Sequence, residues 1–185
     1  MKPDDNAISA MMWGRCQIKH AYSLYFYRKG ERVQQLLHGI KYRGNKVLGT
    51  ELGKQVGHTI KNNAPIAYDL IIPIPLHPNK KAKRGFNQSE VIANGISEVL
   101  QIPVDSECIY RNTFTSSQTK KTRFERWQNV ENIFSLSNTT KLDQLNLLII
   151  DDVITTGSTM EACVNTLSQS SCASISIATI ACAAI

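Results

Sequence analysis

The feature that most constrains this chain is a single run, LLIIDDVITTGST, at Leu147–Thr159. Four successive aliphatic residues leave no wet face, so Leu147–Ile150 is predicted to be a central strand of a parallel sheet covered on both sides. An α/β fold follows, because parallel neighbours need crossover connections to return the chain. The strand then runs into Asp151 and Asp152. Adjacent carboxylates repel each other, and neither is buried cheaply without a partner.

The rest of the chain alternates as such a sheet requires. Ala21–Gly30 is aromatic-rich and strand-like, and Val33, Leu36, Leu37 and Ile40 then mark an amphipathic helix ended by Gly44. A second helix is expected from Lys46 to about Lys61, where Gly49, Gly53 and Gly57 point to close packing of one face. Tyr68–Pro78 reads as a short buried strand running into prolines, Gln88–Gln101 as a helix, and Glu107–Tyr110 and Val130–Leu136 as further strands. A helix over about Thr159–Gln169 and a strand over Ala173–Ala181 complete the pattern. The expected architecture is a doubly wound parallel sheet with helices on both faces. Residues 1–62 are expected to contribute a strand and helices packing on a core formed by residues 63–185.

The chain is 42% hydrophobic and carries a net charge of +6. The excess is concentrated in residues 1–62, which hold 11 Lys/Arg against four Asp/Glu, whereas no Lys or Arg occurs from Leu147 onward. Solubility accounts for such a bias; a face for nucleic acid or anionic lipid is the functional alternative. No apolar run approaches the roughly 20 residues of a membrane span. The stretch MKPDDNAISA has no basic region followed by an apolar one, so no signal peptide and a cytoplasmic location are expected. Cys16, Cys108, Cys163, Cys172 and Cys182 form no C-x-x-C pair, which suggests neither a disulfide framework nor a structural zinc site. Cys163 and Cys182 are expected to act as small buried hydrophobes.

Ligands of a parallel sheet bind beyond the carboxyl ends of its strands, where Asp151 and Asp152 fall. In the loop that follows, Gly157 permits a tight turn, and Ser158 and Glu161 are spaced as a capping box. A helix is therefore predicted to start near Ser158, with Met160, Cys163, Val164 and Leu167 facing the core. Free amides, hydroxyls and the helix dipole make this loop an anion cradle for one phosphate. A cradle beside two carboxylates suits a ligand carrying both phosphate and a diol, with the carboxylates meeting ribose hydroxyls directly or through a bound Mg²⁺. Taken alone, two acids also fit a plain strand end with one of them capping a turn; the flanking residues favour the phosphorylated ribose. The stretch closely resembles the phosphoribosyl pyrophosphate (PRPP) binding motif of type I phosphoribosyltransferases. That resemblance implies ribose hydroxyls at Asp151 and Asp152, and the 5′-phosphate at Thr155, Thr156, Gly157, Ser158 and Thr159. Both acids would then be wet and partnered by a sugar.

The stretch IPIPLHPNKKAKRGFNQSE at Ile72–Glu90 is expected to leave a strand for a loop stiffened by Pro73, Pro75 and Pro78. Lys80, Lys81, Lys83 and Arg84 follow, and they suit either a solvated turn or, from a strand end facing the two acids, a pyrophosphate. The family holds pyrophosphate on the loop after its first core strand, which implies that role for Pro73, Ile74, Pro75 and Arg84. Arg111–Val130 is polar, basic and rich in Ser and Thr, and a loop of that length in a compact domain is functional or disordered. It falls between the expected second and third core strands, where type I enzymes carry a flexible hood. It is similar to amidophosphoribosyltransferases through Arg111, Thr113, Gln118 and Arg123. A hood excludes water and brings cations to departing pyrophosphate, which implies catalytic roles for Lys120 and Arg123 beside Asp151 and Asp152.

LLHGIKYRGN, PIPLHP, RGFNQSE, SQTKKTRFERWQNV and the PRPP motif, in that order through most of Glu31–Thr159, resemble the ComF family of competence-associated proteins. Its members commonly begin with a four-cysteine zinc module, whereas only Cys16 precedes the first strand here. The resemblance implies two functions of different class. One is transfer of a phosphoribosyl group from Mg²⁺-bound PRPP to an unknown nitrogen acceptor, releasing pyrophosphate. No catalytic cysteine of a glutaminase half is visible, which leaves ammonia or a base as the acceptor. The other is a PRPP-sensing adaptor of DNA uptake that touches single-stranded DNA. Tyr22, Tyr25, Phe26 and Tyr27 near Arg28 and Lys29 offer stacking and charge for it, although the same aromatics suit a packed strand face. A homodimer is compatible with either function.

Overall fold

The structure, a computed structural model, describes residues 7–112, 133–137 and 141–183. In chain order the elements are α1 (Ala7–Met12), β1 (Ala21–Tyr27), α2 (Arg32–Arg43), α3 (Lys46–Asn63), β2 (Leu70–Pro73), α4 (Pro78–Arg84) and α5 (Gln88–Leu100). They continue with β3 (Ile109–Arg111), β4 (Phe134–Leu136), β5 (Asn146–Ile154), α6 (Ser158–Leu167) and β6 (Ser174–Ala183). Four strands form one sheet in the order β1-β6-β5-β2, and every pairing in it is parallel. Leu147–Ile150 lies in β5 between β6 and β2 and is fully buried, as its aliphatic run requires.

Alternation along β5 divides the core. Leu148 and Ile150 pack with Ile71 against α2, α3 and α5, through Ile40, Val56, Ile92 and Ile96. Leu147 and Ile149 pack with Ile72 against α1 and α6, through Met12, Met160, Cys163 and Val164. Successive side chains of a strand point to opposite faces, so both faces of the sheet are dry and helix-covered. Cys163 and Cys182 are among the buried residues. The glycines of α3 pack closely on α5: a Cβ on Gly53 would strike the backbone carbonyl oxygen of Ile92, and one on Gly49 would lie 2.9 Å from the side-chain atom Val91 Cγ1.

Three expectations are corrected. Glu107–Tyr110 and Val130–Leu136 do not provide core strands; β3 and β4 pair antiparallel as a separate two-stranded ribbon. Cys108, Ile109 and Phe134 tether that ribbon to the α6 side of the core. The outer neighbour of β2 is instead a single parallel bridge from Ile71 to Val104. The stretch between β3 and β4 therefore joins the strands of the ribbon, and residues 113–132, with Thr113, Gln118, Lys120 and Arg123, lie outside the described residues. Second, Ile72–Glu90 is not all loop. Pro78 opens α4 at its first turn, His77 Nδ1 accepts from Asn79 N at 3.2 Å, and Gly85 ends the helix in a left-handed conformation. Third, β1 packs its aromatics only at one end: Tyr22 is buried, with its hydroxyl 3.0 Å from that of Tyr68, whereas Tyr25 and Phe26 are exposed. No helix among the described residues is long and apolar enough to cross a membrane.

Candidate functional site

The chain leaves β2 toward its outer edge and leaves β5, through α6, toward β6 on the other side. The crevice beyond the carboxyl ends of β2 and β5 is thus a topological switch point, the position where open α/β sheets take ligands. In-register pairing of Pro73 with Ile150, extended by the bond from Ile74 N to Ile150 O at 2.9 Å, brings the β2 exit beside Asp151.

The N-terminus of α5 braces both strand ends. Asn87 caps the helix through Ser89 N and donates from Nδ2 to Ile74 O at 3.0 Å. Ser89 Oγ donates to Asp151 Oδ1 at 3.0 Å, and Gln88 Nε2 donates to Asp152 Oδ1 at 3.3 Å. Arg84, at the end of α4, donates to Gln88 Oε1 and lies over the Tyr42 ring. Pro73 and Ile74 thus lie beside Ile150, the residue before Asp151, and Arg84 connects to Asp152 only through Gln88, while Lys80, Lys81 and Lys83 are exposed on α4.

The two acids have different environments. Asp152 is 3% exposed, and Lys41 Nζ from α2 lies 2.5 Å from its Oδ2, an ionic contact without hydrogen-bond alignment. Asp151 is half-buried; its Oδ1 accepts from Ser89 and from the Asp152 amide at 2.8 Å, and its Oδ2 has no partner among the described residues. Burial first, and the charge of Asp152 second, push the Asp151 carboxyl up from 3.8 to about 7, against the opposing pull of the Asp152 amide, Ser89 and Lys41. The expectation of two wet acids is corrected for Asp152: it is dry, and its partner is a lysine of the protein.

The Thr155–Thr159 loop forms a concavity of about 50 Å³ lined by Asp151 and residues 153–160, but not by Asp152. Thr155, Thr156 and Ser158 are exposed, and Thr156 Oγ1 lies 3.3 Å from Ser158 Oγ. Gly157, at φ +78°, is the N-cap of α6, so the predicted capping box is absent. Glu161 instead receives Arg15, from Nε at 3.0 Å and Nη2 at 2.5 Å, while Arg15 Nη1 donates to Thr156 O at 2.6 Å. A Cβ on Gly157 would strike Met12, so the segment around α1 lies against the outside of the loop. A larger concavity of about 470 Å³, lined by Ile60, Tyr68, Leu100 and Ile102 among others, adjoins the chain entering β2, away from the acids.

Lys41, Gln88, Ser89, Asn87 and Arg15 were not singled out from sequence. The first four sit within the motifs HGIKYRGN and RGFNQSE; nothing in the sequence marks Arg15. Direct Mg²⁺ ligation by both acids does not fit: each Asp152 oxygen is already engaged, and no three His, Cys, Asp or Glu side chains cluster for a metal among the described residues.

A family model described as phosphoribosyl transferase domain matches residues 77–184. The DNA utilization protein YhgH of Shigella flexneri is 28% identical over 149 residues, covering 78% of this chain and 65% of that protein. Competence protein ComFC of Bacillus subtilis is 30% identical over 138 residues, covering 75% and 53%. The chain spans less than two thirds of the length of these relatives. The glutamine PRPP amidotransferase of B. subtilis, solved with ADP and GMP, shares the fold at TM-score 0.50 and 16% identity, covering 71% of this chain and 26% of that one.

Proposed function

This chain belongs to the phosphoribosyl transferase domain family, and we propose that it binds PRPP and transfers its phosphoribosyl group to a nitrogen acceptor. The observation that carries this reading is the placement of a half-buried carboxylate, Asp151, on the wall of the Thr155–Thr159 anion cradle at the sheet's switch point. The cradle offers amides and hydroxyls at a helix N-terminus to the 5′-phosphate. Asp151 lines the same concavity, and its oxygen without a partner among the described residues would accept a ribose hydroxyl. Pro73, Ile74, Pro75 and Arg84, on the chain that leaves β2 beside Ile150, are proposed to hold the pyrophosphate, and Lys120 and Arg123 to meet it as it departs. When bound, Mg²⁺ would supply charge neutralisation to the phosphates, and Asp152, already held by Lys41 and Gln88, would not be its ligand.

Calorimetry with PRPP and Mg²⁺, followed by pyrophosphate release in the presence of ammonia and of single bases, tests the reading. Saturable binding that Asp151→Asn weakens at least tenfold is the expected result. Binding without turnover of any acceptor would reduce the function to PRPP sensing, and absence of binding would end it.

Exposed Tyr25 and Phe26 on edge strand β1, next to Arg28 and Lys29, favour a second reading in keeping with the relatives' names: an adaptor that touches single-stranded DNA. Its mark would be oligonucleotide binding that falls steeply with salt and is lost on Tyr25→Ala/Phe26→Ala.

A further inference from the structure

The acid pair already holds a cation. Lys41 comes from α2, outside residues 77–184 that match the family, and reaches Asp152 through the dry face that α2 and α5 cover. Gln88 from α5 takes the remaining oxygen of Asp152. Both oxygens are thus committed to the protein interior, and Asp152 does not line the phosphate cradle. Asp151, one residue earlier, does line it and keeps one oxygen without a partner among the described residues.

We propose that Lys41 is the resident counter-cation of this pair, which makes Asp152 a positioning residue and leaves Asp151 alone to receive the ligand's hydroxyls. Charge and space both carry the inference. A divalent ion at Asp152 would have to expel an ammonium group at ionic contact from a site that is 3% exposed. It would also have to shed its own water there, which Mg²⁺ does reluctantly. Lys41 provides the neutralisation without either step. It also holds Asp152 so that the backbone amide of residue 152 stays aimed at Asp151 Oδ1. The role given to Asp151 rests on the ribose-phosphate reading above; the role given to Lys41 does not.

Titration of the ligand-free protein with Mn²⁺, read by the electron paramagnetic resonance of the free ion, tests the counter-cation directly. The parent should take up no stoichiometric Mn²⁺. Lys41→Met, which leaves two carboxylates without a cation, should bind Mn²⁺ at least tenfold more tightly, and Asp151→Asn in that background should abolish the gain. One Mn²⁺ per parent chain, lost on Asp151→Asn, would overturn the proposal, as would a folded Lys41→Met with no gain. If Lys41→Met does not fold, the parent decides: ribose 5-phosphate should bind equally, within about twofold, in Mg²⁺ and in EDTA. A tenfold loss in EDTA would place a metal, not Lys41, at the acids. Should ribose 5-phosphate bind under neither condition, the ribose-phosphate reading fails, and the parent Mn²⁺ titration alone judges Lys41.

Discussion

Asp151→Asn should stabilise the unliganded protein, and by an amount that depends on pH. Burial and the neighbouring Asp152 raise the Asp151 carboxyl from 3.8 to about 7. Between those values the folded protein keeps a proton that the unfolded chain has released, so stability is fullest below the lower value and is lost as pH climbs through the upper one. The whole loss is at most about 4 kcal/mol, and less to the extent that water reaches the half-buried carboxyl. Asparagine keeps the size of the side chain and an oxygen for Ser89 Oγ and the Asp152 amide, while removing the charge. The variant should therefore exceed the parent by about 1 kcal/mol at pH 4.5 and by up to about 4 kcal/mol above pH 7. At roughly 2–4 °C per kcal/mol for a chain of this size, the melting temperature at pH 8 should rise by about 8–16 °C at most. Urea denaturation of both proteins from pH 4.5 to 8.5 measures the gap, and the difference cancels titrating groups that do not interact with Asp151, leaving the coupled response of Asp152 in it. A variant no more stable than the parent at pH 8, or a gap that does not widen with pH, would refute the argument that this carboxylate is loaded.

The neighbouring substitution should act in the opposite direction: Asp152→Asn strands Lys41 and should cost about 3 kcal/mol at pH 7 by urea denaturation. The two effects are opposed and similar in size, so neutralising both acids should leave the unliganded protein about as stable as the parent near pH 7. Gly53→Ala should cost about 1–3 kcal/mol, because its Cβ meets the Ile92 carbonyl where α3 and α5 touch; an unchanged urea midpoint would mean the helices separate easily. Arg15→Ala removes the link between Thr156 and Glu161 and should cost about 1–3 kcal/mol. It should also weaken ribose 5-phosphate binding several-fold, by calorimetry.

Local chemistry was enough for much of this protein. Four aliphatic residues in a row place Leu147–Ile150 at the centre of a parallel sheet, because no other position buries both faces of a strand. Gly157 marks the turn into α6, and Met160, Cys163, Val164 and Leu167 mark its buried face, because helical spacing puts them on one side. The stripe Gly49, Gly53, Gly57 foretells a close neighbour, although not that α5 supplies it. Position in space was decided only by the tertiary structure. Glu107–Tyr110 and Val130–Leu136 have strand composition, yet a short apolar segment does not say which strand it will pair with. Lys41 and Asp152 are far apart in sequence, as are Arg15 and Glu161, and each pair meets because packed helices carry one partner to the other. Two adjacent acids look equivalent in a sequence. The strand pleat and the helices on either side separate them, giving one a lysine and the other a place on the concavity of the Thr155–Thr159 loop.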